Sequence, residues 1–297
     1  MDIDNGDLVI TLSQVENVHV SLGGLSKGMI GVVVSQSPEL NQVHIYEVAI
    51  EGRIYDEGKG IKKQESVEEY DSIEYKPRRK AIKSATEGVL FVCGSGKVAG
   101  ASLRILEALK HVKMTVVYIY PDLEFASNIE QKRNKVHFGV LQEFTRSGLI
   151  NEILLLDNKT LSEATPPGTV YDFYKNINHL IYSTIHTLNY CDNVDPEFSS
   201  VHTPKEISRI TTIGYAKFEE DEEKLYFPLD NITETRYIIS INKEELARDV
   251  SIIPNIKGMV RDNKKLERDT SFAIWSTTED TNYYYAKHYT HFVQETT

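Results

Sequence analysis

Gly94, Ser95, Gly96, Lys97 and Gly100 stand between two apolar runs. Val89 to Val92 precede them, and Leu103, Ile105, Leu106 and Leu109 follow at helical spacing. The pattern is a strand, a glycine turn and a helix start. Backbone N–H groups at such a turn, with a helix dipole behind them, form an anion site, so the chemistry on offer is phosphate binding. A plain bend of the chain is the open alternative. The spacing is not a Walker loop, because Lys97 lacks the following Ser or Thr of a GxxxxGK frame, and it is not the GxGxxG of dinucleotide folds. The 9 histidines give no metal pattern. His179 and His186 are seven residues apart on a helix, and His288 and His291, three apart in a strand, face opposite sides.

The elements around the turn form a regular alternation. Strands are expected at 17–22 and 43–50, with a glycine turn and then a helix through "GGLSKGMIGVVVSQS" between them. Residues 51–86 are charged and weakly periodic and read as a loop-rich connection. From 88 onward, strand "GVLFVC", a helix to about His111, strand 114–120, a helix through "KVHFGVLQEFTRSG" and strand 152–157 follow in turn. Apolar strands alternating with helices imply a parallel sheet covered on both faces, an α/β class. "ATPPGT" breaks the pattern at 164–169, and Phe173, Ile177, Leu180, Ile181, Ile185 and Leu188 mark a long helix over 170–190. Strands at 207–218, 236–242 and 271–277 then predict a smaller α+β domain from about 200.

Composition narrows the function classes. The chain has 297 residues, 40% hydrophobic and 26% charged, with a formal charge of −11. That charge argues against broad binding to DNA or anionic membranes. The basic run "KPRRK" at 76–80 is the local exception: a solvated loop, or a contact for an acidic partner or nucleic acid. No apolar stretch approaches a membrane span of roughly 20 residues. The acidic start MDIDNGDLVI lacks signal-peptide regions, and Cys93 and Cys191 make neither a disulfide framework nor a metal motif. A reducing, cytoplasmic setting is the expectation.

In order, the motifs resemble the tubulin/FtsZ superfamily. The turn Gly94-Ser95-Gly96-Lys97-Val98-Ala99-Gly100 lies over its GGGTGTG signature, departing at Lys97, Val98 and Ala99. Gly23 and Gly24 lie over its glycine-rich first loop. "LLLDNKTL" resembles the tubulin segment whose Asn contacts the nucleotide, which implies Asn158. "YKNINHLIYST" resembles the start of the central helix, implying that Tyr174 stacks on guanine and Asn178 bonds its edge. "EQKRNK" resembles the FtsZ stretch after the third strand, implying Glu130 and Arg133 near ribose and phosphate. The likeness spans roughly 17–218, and in size the chain is similar to phage and plasmid tubulins. It implies a GTP-binding domain over 1–168, a central helix and catalytic loop over 169–200, and a C-terminal α+β domain over 201–297.

The same resemblance implies GTP/GDP with Mg2+ as cofactors and self-assembly, head to tail, as the partnership. It also implies an adaptor associated with DNA or the virion, no membrane, and a bacterial host's cytoplasm. In this family a loop after the central helix carries the acids that polarise water at the neighbouring subunit's nucleotide. Here that loop reads "YCDNVDPEF". Asp192 and Asp195 fit a DxxD spacing and are the favoured pair; Asn193-Val194-Asp195 matches the FtsZ "NVD" in a second register. A solvated acidic turn before Pro196 is the bland alternative. The expected function is a polymerising GTPase that positions phage or plasmid DNA or particles. Two rivals stand beside it: a non-hydrolysing tubulin-like scaffold, which the departures at Lys97 to Ala99 favour, and an unrelated α/β nucleotide enzyme.

Overall fold

The computed structural model describes residues 7–10, 18–21, 29–36, 42–49, 54–62, 64, 66–74, 87–95, 99–165, 168–169, 173–200, 204–218, 222–264, 268–278 and 281–295. The chain divides into two compact units, Met1–Tyr190 and Cys191–Glu295.

In the first unit, β1 (Asp7–Ile10) and β2 (Val18–Ser21) form an antiparallel pair. A sheet follows with strands β3 (Met29–Gln36), β4 (Gln42–Ala49), β5 (Ile54–Lys62), β6 (Glu87–Cys93), β7 (Lys113–Tyr120) and β8 (Glu152–Asp157). Its order is β5-β4-β3-β6-β7-β8. β3, β6, β7 and β8 run parallel, and β4 and β5 add antiparallel at the β3 side.

Two expectations fail here. The segment expected to be a helix after Gly23 and Gly24 is strand β3: the β-branched run Val32-Val33-Val34 restricts χ1 and suits a pleated surface. The segment read as loop-rich contains β5 and a 3₁₀ turn over Glu68–Ser72, because pairing with β4 satisfies a backbone whose side-chain pattern carries little signal.

Helices fill the crossovers. α1 (Ala99–Ala108) buries Leu103, Ile105 and Leu106. α2 (Asn128–Arg146) buries Asn134, His137, Phe138, Leu141 and Thr145, a stripe at 3- and 4-residue steps. It starts at a capping box in which Ser127 and Glu130 each satisfy the other's backbone N–H. α3 (Asn158–Ala164) follows β8 directly, and the breaker at 164–169 separates it from α4 (Phe173–Asn193). The boundary between the units falls in the last turn of α4.

The second unit contains β9 (Phe198–Ser199), β10 (Ile210–Lys217), β11 (Lys224–Leu225), β12 (Glu234–Asn242), β13 (Asp269–Thr277) and β14 (Tyr283–Thr290). The order is β10-β14-β12-β13-β9, with β11 on β10. β12 and β13 are parallel, joined through α5 (Lys243–Arg248) and α6 (Ile252–Lys264). Ile252, Ile256 and Val260 of α6 pack on Tyr237, Ile239, Phe272 and Ile274 of these strands. Among the described residues no helix is long and apolar enough to cross a membrane.

Candidate functional site

Parallel register brings Cys93 of β6 level with Ile119, and Tyr120 of β7 level with Asp157 of β8. Open α/β sheets take ligands beyond these carboxyl ends. Gly94 follows immediately, and its N–H donates to Ile119 O over 3.1 Å. A Cβ at Gly94 would collide with Tyr118 Oη and Asn134 Oδ1. Those two atoms are hydrogen-bonded at 2.7 Å, and both residues are buried. Tyr120, on the same strand face, also bonds Asn134; burial raises its phenol pKa, opposed by that bond and reinforced by the charge of Asp157. Burial likewise raises the carboxyl of Asp157, against hydrogen bonds from Thr160 and Lys159. Asp157 accepts from Thr160 N at 2.8 Å and caps α3.

Gly100 has a different neighbour. A Cβ there would lie 2.5 Å from Tyr70 Cδ2 and 3.1 Å from Val67 Cα. The 3₁₀ turn packs flat on α1 at this point, and Arg104 reaches Asp71 at 3.2 Å beside it. Both described glycines of the turn signature are therefore demanded by protein packing.

The other expected nucleotide residues divide as follows. Ser95 is half-buried beside Gly94. Glu130 Oε2 accepts from Ser127 N and Ser127 Oγ, each at 2.8 Å, so its carboxylate serves the helix cap. Arg133 is half-buried one turn further along. Asn158 opens α3, and its carbonyl accepts from Ser162 Oγ at 2.6 Å. Tyr174 and Asn178 stand one turn apart near the start of α4, with side chains outside the described residues. Gly23, Gly24, Gly96, Lys97 and the 76–80 basic run lie outside the described residues altogether. Thus Gly94 and Ser95 follow the end of β6, Asn158 follows the end of β8, and Glu130 and Arg133 lie in the first turns of α2, the helix after β7.

Residues that the sequence patterns did not single out hold this edge together. Besides Tyr118, Asn134 and Asp157 there is a fully buried pair, with Ser102 Oγ 2.8 Å from His137 Nε2. Ser102 donates to Ala99 O at 2.6 Å, so it accepts from the imidazole N–H. His137 Nδ1 has no partner among the described residues, and burial lowers the ring's pKa to about 3. A mid-helix polar residue inside an apolar stripe was the available signal.

The acidic loop lies in the second unit. Asp192 Oδ1 meets Arg236 Nη1 of β12 at 3.0 Å. Trp275 Nε1 donates to Val194 O at 2.9 Å, and Glu197 N donates to Ile274 O at 2.8 Å. Ser276 Oγ donates to Glu197 Oε1 at 3.0 Å. Four contacts thus fix residues 192–197 on β12 and β13. A cavity of about 250 Å³ opens here, lined by Cys191, Asp192, Asp195, Ser199, Arg236 and Trp275 among others. Asp195 is exposed. Burial, then the charge of Asp192, pushes the Cys191 thiol up to about 12 against the pull of Arg236, so it stays protonated and inert.

A second polar cluster in this unit is buried at its histidine and hydroxyl. His288 stands 2.6 Å from Glu223 Oε1 and 3.0 Å from Thr235 Oγ1, with His288 and Thr235 both 3% exposed. Its order resembles an acid–histidine–hydroxyl relay, but the hydroxyl is sealed and the cluster fastens the β11 strand to the sheet. Among the described residues no group of three or more His, Cys, Asp or Glu stands where it would hold a metal.

Comparison with known proteins gives a fold. No protein-family model matches the chain. No curated protein matches it by sequence. Among solved structures, an empty FtsZ dimer from M. jannaschii matches with TM-score 0.53 and 11% identity over 71% of this chain and 65% of that one. GDP-form protofilaments of Bacillus thuringiensis serovar israelensis TubZ match at 0.50 and 14% identity, over 69% of this chain and 61% of theirs. CetZ from Methanosaeta thermophila matches at 0.50 and 13%, over 69% and 62%. The chain spans just under two thirds of the length of these structures. The fold is that of the tubulin/FtsZ superfamily.

Proposed function

We propose that this chain, with its tubulin/FtsZ fold, binds a guanine nucleotide at the carboxyl ends of β6–β8. It assembles head to tail into filaments and hydrolyses GTP where one subunit's acidic loop meets the next subunit's nucleotide. The observation that carries this reading is the exposed Asp195, on a loop that directly follows the long helix α4 and is fixed to β12 and β13 by Arg236 and Trp275. An exposed carboxylate on a loop fastened on both sides, with no partner among the described residues, suits the orientation of a water on a neighbour.

The residues at the strand ends fit a nucleotide. Ser95, beside Gly94, and the N-terminus of α1 offer backbone N–H groups and a helix dipole to phosphates. Asn158, Arg133, Tyr174 and Asn178 supply polar and aromatic groups for ribose and base. Mg2+, when bound, would offset phosphate charge while keeping most of its own waters, so it needs few protein ligands. That GDP-form protofilaments of TubZ share the fold supports both the nucleotide and the self-association. A bacterial cytoplasm, and phage or plasmid DNA or particles as cargo, belong to the same proposal.

One observation favours the scaffold reading. Packing against Tyr118, Asn134 and Tyr70 accounts for Gly94 and Gly100 without any phosphate. Measuring GTP turnover per subunit across protein concentration separates the two. Turnover that rises with assembly supports the filament GTPase, and filaments without turnover support the scaffold.

A further inference from the structure

Arg236 sits at the middle of its sheet. β12 is paired on both sides, with Arg236 level with Ser271 of β13 and with Lys287 of β14. A second cation therefore stands next to it in register, and Arg236 itself faces an anion. Asp192 is that anion, at 3.0 Å from Nη1. The Arg236 side chain is only 19% exposed and its Nε is buried with no partner among the described residues, whereas Asp192 is half exposed. The fixed member of the pair is thus the arginine, and the loop is what it holds. Three residues further on, Asp195 is exposed on the same cavity.

We infer that Arg236 is a positioning residue which divides the two loop carboxylates between different tasks: Asp192 anchors the loop and Asp195 is presented to the neighbouring subunit. The kinetic part rests on reading this loop as the hydrolytic one; the anchoring part does not. The arrangement explains why two acids three residues apart are both useful. A carboxylate bonded to Arg236 has lost much of its capacity to orient water, and a carboxylate on an unanchored loop would have no fixed aim. Arg236 thereby sets the reach of a group it does not touch.

Trp275 supplies a reporter for this. It is the sole tryptophan of the chain, lies 4% exposed, and its indole N–H is bonded to Val194 O between the two acids. The test compares Asp192→Ala, Arg236→Met, Arg236→Lys and Asp195→Ala in the full-length protein. Tryptophan emission, acrylamide quenching and GTP turnover at saturating nucleotide are measured for each. Asp192→Ala and Arg236→Met should produce the same red shift and the same gain in quenching. Arg236→Lys, which keeps one cationic donor, should restore much of the wild-type signal, and Asp195→Ala should leave it unmoved. In turnover, Asp192→Ala and Arg236→Met should lower kcat by roughly ten- to a hundredfold with KM unchanged, because the nucleotide is held by the other chain. Unchanged Trp275 fluorescence in both anchor variants overturns the proposal, as does an equal shift in Asp195→Ala. A wild type that forms filaments without turnover removes the hydrolytic reading, and the fluorescence comparison still decides the anchor.

Discussion

Tyr118 and Asn134 meet directly against Gly94: the phenol donates to Asn134 Oδ1 over 2.7 Å in a space that a Cβ on Gly94 would fill. The turn that the sequence offers for phosphate is thus also the lid of a buried hydrogen bond between β7 and α2.

Gly94→Ala should destabilise the nucleotide-free protein by about 1–3 kcal/mol, as overpacking does. Gly100→Ala should also destabilise, although Ala normally improves a helix by about 1 kcal/mol, because Tyr70 occupies the space. Gly139→Ala in α2 meets nothing within 4 Å and should stabilise by about 1 kcal/mol. Urea midpoints for the three variants check this ordering. Equal and small effects would show that the two turn glycines are not packing positions.

Glu130 separates a cap from a ligand contact. Glu130→Ala should cost about 1 kcal/mol by removing the capping box, and Glu130→Gln should retain most of that stability. Thermal melts with and without guanine nucleotide distinguish the roles. If nucleotide affinity follows the Gln variant down while stability does not, the carboxylate serves the ligand as well as the helix.

His137 gives an acid limit to stability. Its folded pKa, about 3, lies below the ordinary 6.5 because burial disfavours the charged ring. The stability that its neutral form contributes is fully present above pH 6.5 and is lost as pH falls from there towards 3. The slope is about 1.4 kcal/mol per pH unit for one such group. His137→Gln should flatten this slope while lowering stability at pH 7, because the Ser102 contact is altered. An unchanged slope between pH 6 and 4 would show that other groups set the acid limit.

The parallel core from β6 to β8 was legible because its strands are continuous apolar runs separated by helices with clear stripes and breakers. β3 was not, since a glycine-rich entry suggested a helix and only sheet pairing revealed how Val32 to Val34 are used. At the site, the glycines and the acidic loop announced themselves through residue type and spacing. Asn134 and Arg236 did not: an Asn amid "EQKRNK" and an Arg amid "TRYIISIN" look like solvated residues until the fold sets Tyr118 and Asp192 against them. Long-range pairs leave no local pattern.

Asp195 carries the filament-GTPase reading, and a doping experiment addresses it most directly. Asp195→Ala is mixed with wild type at fixed total protein, and GTP turnover is recorded together with polymer mass. The expected result is normal nucleotide binding, normal or longer-lived filaments, and turnover that falls faster than the wild-type fraction, since each site draws on two chains. Turnover strictly proportional to the wild-type fraction, or equal in the variant alone, would contradict a site completed by the neighbour's Asp195.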